Sequence, residues 1–157
     1  MISADLIARY FGINHRVLHM QIDGLSHEDS LLQPPFRGNN LNWVLGHIIA
    51  SRSTALAILG GEPVWTKEEA APYAQESEPI TAANAHPLEK LVADLDTAQE
   101  RLEVALEQVT MEELAHVPDG KDRSLGERLS FLYWHEGYHT GQTELLRQLA
   151  GTDDKII

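Results

Sequence analysis

Apolar residues recur at every third or fourth position in four long stretches of the chain, the spacing typical of one face of an α-helix. This pattern predicts four long helices, over residues 3–23, 41–59, 87–109 and 125–150. A short helical piece is expected near residues 67–74, inside the long connection at 62–86. No stretch shows the alternation of a strand. We therefore predict an all-α fold, one domain over residues 1–157, built as a four-helix bundle with a long crossover between helices two and three.

Each long helix is expected to bury one apolar face in the bundle. For helix one, the predicted buried stripe consists of Leu6, Tyr10, Ile13, Val17 and Met20. Helix two is apolar around much of its circumference and should be well buried. For helix four, the buried stripe is defined by Leu125, Leu129, Leu132 and Leu146. Ser124 and Glu127 predict a capping box at the start of helix four.

The composition limits the possible partners and compartment. With 24 acidic and 12 basic residues, the net charge is −12, which argues against nucleic acid or an anionic membrane as a partner. The chain has no cysteine, so disulfides and cysteine-ligated zinc sites are excluded, and a cytoplasmic location fits. The pattern indicates neither a signal peptide nor a membrane-spanning segment.

Polar residues interrupt the buried face of helix four. Around the helix axis, His139 falls near the middle of the leucine stripe, with His135 about 50° and Gln142 about 70° to the side. A buried polar atom without a partner costs about 1–3 kcal/mol, whereas one metal ion satisfies two imidazoles spaced i, i+4. We therefore predict that His135 and His139 bind a metal, with a structural polar cluster as the alternative.

The other six histidines are weaker candidates. His15 and His19 share the i, i+4 spacing, but they point away from the stripe predicted for helix one. We therefore expect them to be exposed and not to bind metal. His47 lies on helix two, where helix geometry leaves it either a ligand or a core residue that hydrogen-bonds to a carbonyl. Three more occupy loop or cap positions without a partner at a useful spacing: His27, His86 and His116.

The letters HEGYH in helix four fit the H-E-x-x-H pattern of zinc peptidases. The extended form of that pattern needs a glycine and a third histidine where this chain has Gln142 and Leu145. Glu144, the nearest later carboxylate, lies about 140° around the helix from His139 and cannot join the site. We therefore expect that the chain is not a peptidase, and that Glu136 lies at the edge of the buried face.

Three stretches of the chain are similar to one known family: NWVLGHIIASR (residues 42–52), HEGYHTGQ (residues 135–142) and the C-terminal LLRQLAG. Over residues 1–151 the chain resembles the DinB/YfiT-like superfamily of metal-binding four-helix bundles. The resemblance implies that His47, His135 and His139 bind one divalent metal ion, nickel or zinc, with water in the open positions. It also implies a homodimer.

The resemblance also gives expectations about activity. Some members of the superfamily use low-molecular-weight thiols in S-transfer or isomerisation. We therefore expect a metal-dependent enzyme that activates such a thiol and transfers its sulfur to a small-molecule substrate. Two alternatives stay open: a metal-dependent hydrolase that uses metal-bound water, and a non-catalytic metal-binding or stress-response protein.

Four further positions have open roles at this stage. Gln142 either orients a ligand histidine or a metal-bound water, or belongs to a polar core cluster. Arg52 either forms a salt bridge with an acid, which we favour, or binds a substrate carboxylate. Gly137 and Gly141 each weaken a helix interior by about 1 kcal/mol, which we attribute to a close helix contact within the bundle or across a dimer.

Overall fold

A computed structural model describes residues 3–152, 154 and 156, and every regular element in this part of the chain is helical. The four long helices are α1 (Ala4–Ile22), α3 (Leu41–Ile58), α5 (Leu88–Glu107) and α7 (Leu125–Leu149). The short helices are α2 (His27–Ser30), α4 (Lys67–Ala70), which continues into a 3₁₀ turn (Ala71–Tyr73), and α6 (Met111–Ala115). The predicted all-α fold is confirmed, and each predicted long helix is present with ends within two residues.

The extent of the domain stays a prediction. Residues 1, 2, 153, 155 and 157 of the predicted domain lie outside the described residues. Within the described part, no helix has both the length and the apolar character that crossing a bilayer requires.

Polar caps set the starts of the helices that carry the site. The Asn40 side chain accepts a hydrogen bond from the backbone N–H of Trp43 at the start of α3. The capping box predicted for Ser124 and Glu127 is present at the start of α7. Gly151, with a φ of 89°, lies in the left-handed region just after α7 ends.

The helix packing explains why the connection between α3 and α5 is long. Each of α1 and α3 packs against both α5 and α7, so α1 lies diagonally across from α3. Asn42 near the start of α3 donates to the carbonyl of His86, just before α5, and Arg52 further along α3 donates to Gln99 further along α5. The two helices therefore run in the same direction. The connection must return along the bundle before α5 begins, which is the predicted long crossover.

The core contains a polar layer between two apolar clusters. Each long helix contributes one buried polar side chain at this level: Asn14, Arg52, Gln99 and Glu136. In every one of these helices, apolar core residues of one cluster precede the polar residue and those of the other cluster follow it. On α7, Glu136 of this layer directly follows His135.

The stripe predicted for α1 is wrong. The apolar residues that α1 buries are Ala4, Ile7, Phe11, Leu18 and Ile22. Three members of the predicted stripe are exposed: Leu6, Ile13 and Met20. Both sets recur every three or four residues, so α1 carries apolar side chains on two neighbouring faces. Periodicity alone could not choose between these faces, because the choice depends on where α5 and α7 pack.

The 3₁₀ turn lies close against α3 at Gly46. A Cβ atom at position 46 would overlap the ring of Tyr73. The Tyr73 hydroxyl donates to the Asn42 side chain at 3.2 Å and accepts from the backbone N–H of His86 at 2.9 Å. The buried tyrosine therefore holds the long connection onto α3 and fixes the position of its own backbone carbonyl.

Candidate metal centre

Three imidazoles converge between α3 and α7. His47 comes from α3, and His135 and His139 lie one turn apart on α7. The Nε2 atom of His135 is 3.3 Å from Nε2 of His47 and 3.2 Å from Nε2 of His139. Two nitrogens bound to one tetrahedral ion at about 2.1 Å stand roughly 3.4 Å apart. The group can therefore hold a metal ion, and it consists of the three residues that the resemblance pointed to.

Hydrogen bonds on the far side of two rings direct their lone pairs toward the centre. Nδ1 of His47 is 2.7 Å from the carbonyl oxygen of Tyr73, and Nδ1 of His139 is 2.7 Å from Oε1 of Gln142. Both oxygens can only accept, so each Nδ1 carries the proton and each Nε2 presents a lone pair. Ser51 Oγ lies 3.5 Å from Nδ1 of His135, a weaker contact. A cation between the rings would satisfy these converging lone pairs.

Burial keeps the three rings neutral at physiological pH. It lowers the pKa of His47, although the hydrogen bond to the Tyr73 carbonyl acts in the opposite direction. Burial, and next the neighbouring His47, lower the pKa of His135. For His139, burial lowers the pKa to about 4, against the opposing effect of the Gln142 hydrogen bond. Neutral imidazole is the form that binds metals.

The sequence model that describes the DinB superfamily matches residues 11–143, which is most of the chain. The chain belongs to the DinB superfamily. A solved structure of a conserved protein from Enterococcus faecalis has the same fold, with a TM-score of 0.77 at 18% identity. The alignment covers 97% of this chain and 99% of that protein. Comparison with curated proteins finds no significant match.

Aromatic side chains form the walls of the candidate site. The Trp43 indole stacks on the His47 ring, with centroids 4.5 Å apart and planes 11° from parallel. Trp43 is buried and donates from Nε1 to Ser77 of the long connection. On the outer side, the exposed Tyr138 ring meets His139 edge to face at 5.2 Å. Trp43 therefore restrains the His47 ring from one side, while Tyr138 lies at the surface edge of the site.

Arg52 and Glu136 form a buried ion pair beside the DinB histidines. Arg52 Nε and Nη2 donate to the two carboxylate oxygens of Glu136, each at 2.8 Å, and both side chains are fully buried. Gln99 accepts a further hydrogen bond from Arg52 at 3.0 Å. The salt bridge that we favoured for Arg52 is confirmed. Because Arg52 engages both oxygens, Glu136 cannot serve as the general base of an H-E-x-x-H peptidase.

The expectation that Glu136 lies at the edge of the buried face is wrong, since it points into the centre of the bundle. A signal for this burial was present in the sequence. Glu136 follows Leu129 by seven residues, which is close to two helical turns, so the two side chains share a face. Gln142 contacts the second nitrogen of His139, which is the contact that the orienting role requires.

The expectation that His15 and His19 are exposed also fails. Only 18% of the His15 side chain is accessible, and His19 is partly buried. Both rings point toward Asp96 on α5. The error follows from the wrong stripe on α1, because His15 is four residues after the buried Phe11 and therefore lies near the true core face.

Proposed function

We propose that the chain binds one divalent metal ion, nickel or zinc, through the Nε2 atoms of His47, His135 and His139, and that it activates a low-molecular-weight thiol for S-transfer. The observation that carries the proposal is the convergence of three neutral imidazoles on one point. Membership of a superfamily whose members bind metals supports it.

The donor set favours a reactive centre over a structural one. Three protein ligands leave coordination positions open, as in catalytic rather than structural zinc sites. A divalent cation held there supplies Lewis acidity, which lowers the pKa of a bound thiol. The chain has no cysteine of its own. The sulfur nucleophile therefore comes from a small molecule.

A cavity of about 360 Å³ beside His47 offers room for that molecule. Alanines and Leu132 form its apolar part, and Ser51, Thr54 and Gln75 supply polar groups. Among the described residues that line it, Lys67 carries the single charge. An ammonium group suits a carboxylate-bearing thiol such as glutathione or bacillithiol. Lys67 would orient this carboxylate while the sulfur reaches the metal centre.

The outward face of α7 supports the predicted homodimer. It presents exposed aromatic and aliphatic side chains at helical spacing: Phe131, Trp134, Tyr138 and Leu145. A Cβ atom at Gly141, on the same face, would have no neighbour within 4 Å. The close contact inferred for Gly141 is therefore absent within the bundle, which leaves a partner helix as its explanation. Sedimentation should give a dimer, and Trp134→Glu should give a monomer that keeps its metal.

The decisive experiment compares thiol consumption with metal content. Protein loaded with nickel or zinc is incubated with bacillithiol, mycothiol or glutathione and with chlorodinitrobenzene as the electrophile. We expect one thiol to be consumed in step with the electrophile. His135→Ala should lose the ion between His47 and His139 together with the activity, whereas His116→Ala, which changes an exposed histidine outside the site, should keep both.

Three other results of this experiment would each contradict one part of the proposal. Loss of an ester or electrophile without loss of thiol contradicts S-transfer and supports a hydrolase. Stoichiometric metal without any turnover contradicts an enzyme and supports a metal-binding or stress-response protein. If His135→Ala binds as many ions per chain as the wild type, the ligand assignment itself fails. The cytoplasmic location stays a prediction.

A further inference from the structure

A second group of metal-ligating side chains lies between α1 and α5, on the opposite side of the bundle from the first site. His15 and His19 are one turn apart on α1, and their ring centroids are 4.6 Å apart. Both Nε2 atoms face the same carboxylate oxygen, Oδ1 of Asp96 on α5, at 3.3 Å from His15 and 2.6 Å from His19. Two imidazoles and one carboxylate therefore meet at one point.

We propose that His15, His19 and Asp96 form a second divalent-cation site, independent of the one at His47. Two imidazole nitrogens and one carboxylate oxygen are a donor set suited to zinc, cobalt, nickel or iron(II). The three ligand atoms come from two packed helices, so the site exists only in the folded bundle. It shares no residue with the proposed metal centre.

Hydrogen bonding alone leaves this cluster incomplete. The 2.6 Å contact from His19 to Asp96 is a strong, charge-assisted hydrogen bond, but the His15 contact of 3.3 Å is too long for one. A cation between the three side chains would engage His15, which the present hydrogen bonds do not.

The electrostatic setting suits a cation. Burial, and next the charge of Arg52, lower the pKa of His15 to about 4, so the ring is neutral at pH 7 and able to ligate. Arg52 forms an ion pair with Glu136. Asp96 and Glu103 act on His15 in the opposite sense. The net charge of the chain, −12, adds a field that attracts cations.

An adjoining cavity gives the cluster access to solvent. It has a volume of about 430 Å³ and is lined by His19 and Asp96 themselves. Asp23 and Glu89 also line it, together with apolar residues of α1 and α5. A cation can therefore enter from the surface, and waters from the cavity can complete its coordination.

The test is a calorimetric titration of chelator-stripped protein with Zn²⁺. Wild type should bind two ions per chain. Asp96→Asn and His15→Ala should each bind one, with the second ion at least ten times weaker. Glu100→Gln is the matched control, because it removes an equal charge from an exposed position on the same helix. It should bind two ions.

The His47→Ala variant separates this site from the first one. It should lose the ion held at His135 and His139 and keep the ion held at Asp96. In the Co²⁺-loaded variant, the retained ion should shift the NMR resonances of His15 and His19. Circular dichroism melting confirms that each variant is folded. One ion per wild-type chain would overturn the proposal. So would an Asp96→Asn variant that still binds two ions, or His15 and His19 resonances that Co²⁺ leaves unshifted.

Discussion

Gln142 and the Tyr73 carbonyl decide which nitrogen of their histidines faces the centre. The Tyr73 acceptor is a backbone carbonyl, so a substitution can remove only the Gln142 acceptor, whose Oε1 accepts a hydrogen bond from Nδ1 of His139. Gln142→Met should weaken zinc binding about 10–100-fold, because His139 is then free to rotate or change tautomer. Competition with a chromophoric chelator measures the affinity. Gln148→Met, exposed on the same helix, should leave it unchanged. Equal affinities for both variants would contradict the orienting role.

At the residue scale, helix geometry located His135 and His139 of the candidate site but not His47. The spacing of His135 and His139 brings both rings to one face of α7 for a purely local reason. The position of His47 depends on how α3 packs on α7, which spacing along α3 does not contain. The same limit explains the error at His15, where two apolar faces of α1 were equally periodic.

The contact between the 3₁₀ turn and α3 depends on a glycine. In Gly46→Ala the new methyl group would overlap the Tyr73 ring, which must shift and carry its carbonyl away from His47. Urea unfolding should show a loss of about 1–3 kcal/mol, and zinc affinity should fall as well.

Gly12→Ala is the control for this change, since a Cβ atom at position 12 meets its nearest neighbour, the Gln99 amide nitrogen, at an ordinary 3.6 Å. It should gain up to about 1 kcal/mol from helix propensity and keep its zinc affinity. If Gly46→Ala matched this control in stability and affinity, the long connection would have no part in orienting His47.

The Arg52–Glu136 pair ties together the two helices that supply the three converging histidines. Arg52→Met should cost about 3–5 kcal/mol, because it leaves the Glu136 carboxylate buried without a partner. Adding Glu136→Met should restore much of this loss. A double-mutant cycle by urea unfolding measures the coupling. The more exposed Arg101–Glu62 pair is the reference and should couple by less than about 1 kcal/mol. Additive losses at Arg52 and Glu136 would contradict the account.

At the element scale, periodicity and caps were enough to find the long helices and their ends. The capping box at Ser124 and the stop at Gly151 are local signals, and both are present. The diagonal placement of α1 and α3 is not a local property. It follows from which helix faces fit together. A salt bridge at Arg52 could therefore be favoured from the sequence, whereas the acid that forms it, Glu136, could not be named.

Burial of neutral histidines makes the stability of the whole metal-free molecule depend on pH. The pKa values of His47, His135 and His139 are all lowered on folding, so the unfolded chain binds more protons below about pH 6.5. The free energy of unfolding should therefore fall as the pH drops from 6.5 toward 4, and remain at its full value above 6.5.

Urea midpoints measured at several pH values test this dependence. The fall should be shallower in His139→Gln, which removes the histidine whose pKa is lowered to about 4. Identical slopes for His139→Gln and wild type would contradict the assignment of this ring as neutral and buried.

At the scale of the whole molecule, the fold class and the kind of site followed from the sequence and its family resemblance, whereas the chemistry did not. The cavity beside His47 is lined from α3, α4, the 3₁₀ turn and α7. Its lining depends on the conformation of the connection at 62–86, for which the sequence predicted only a short helical piece near residues 67–74. Recognition of the proposed thiol depends on these residues, and Lys67 is the first position to vary in a search for that thiol.

The most direct test of the central claim is anomalous diffraction from a crystal of the zinc-loaded protein, recorded above and below the metal's absorption edge. The account predicts a strong peak within about 2.0–2.2 Å of the Nε2 atoms of His47, His135 and His139. A map without a peak between these three rings, in a crystal that contains stoichiometric zinc elsewhere, would contradict it.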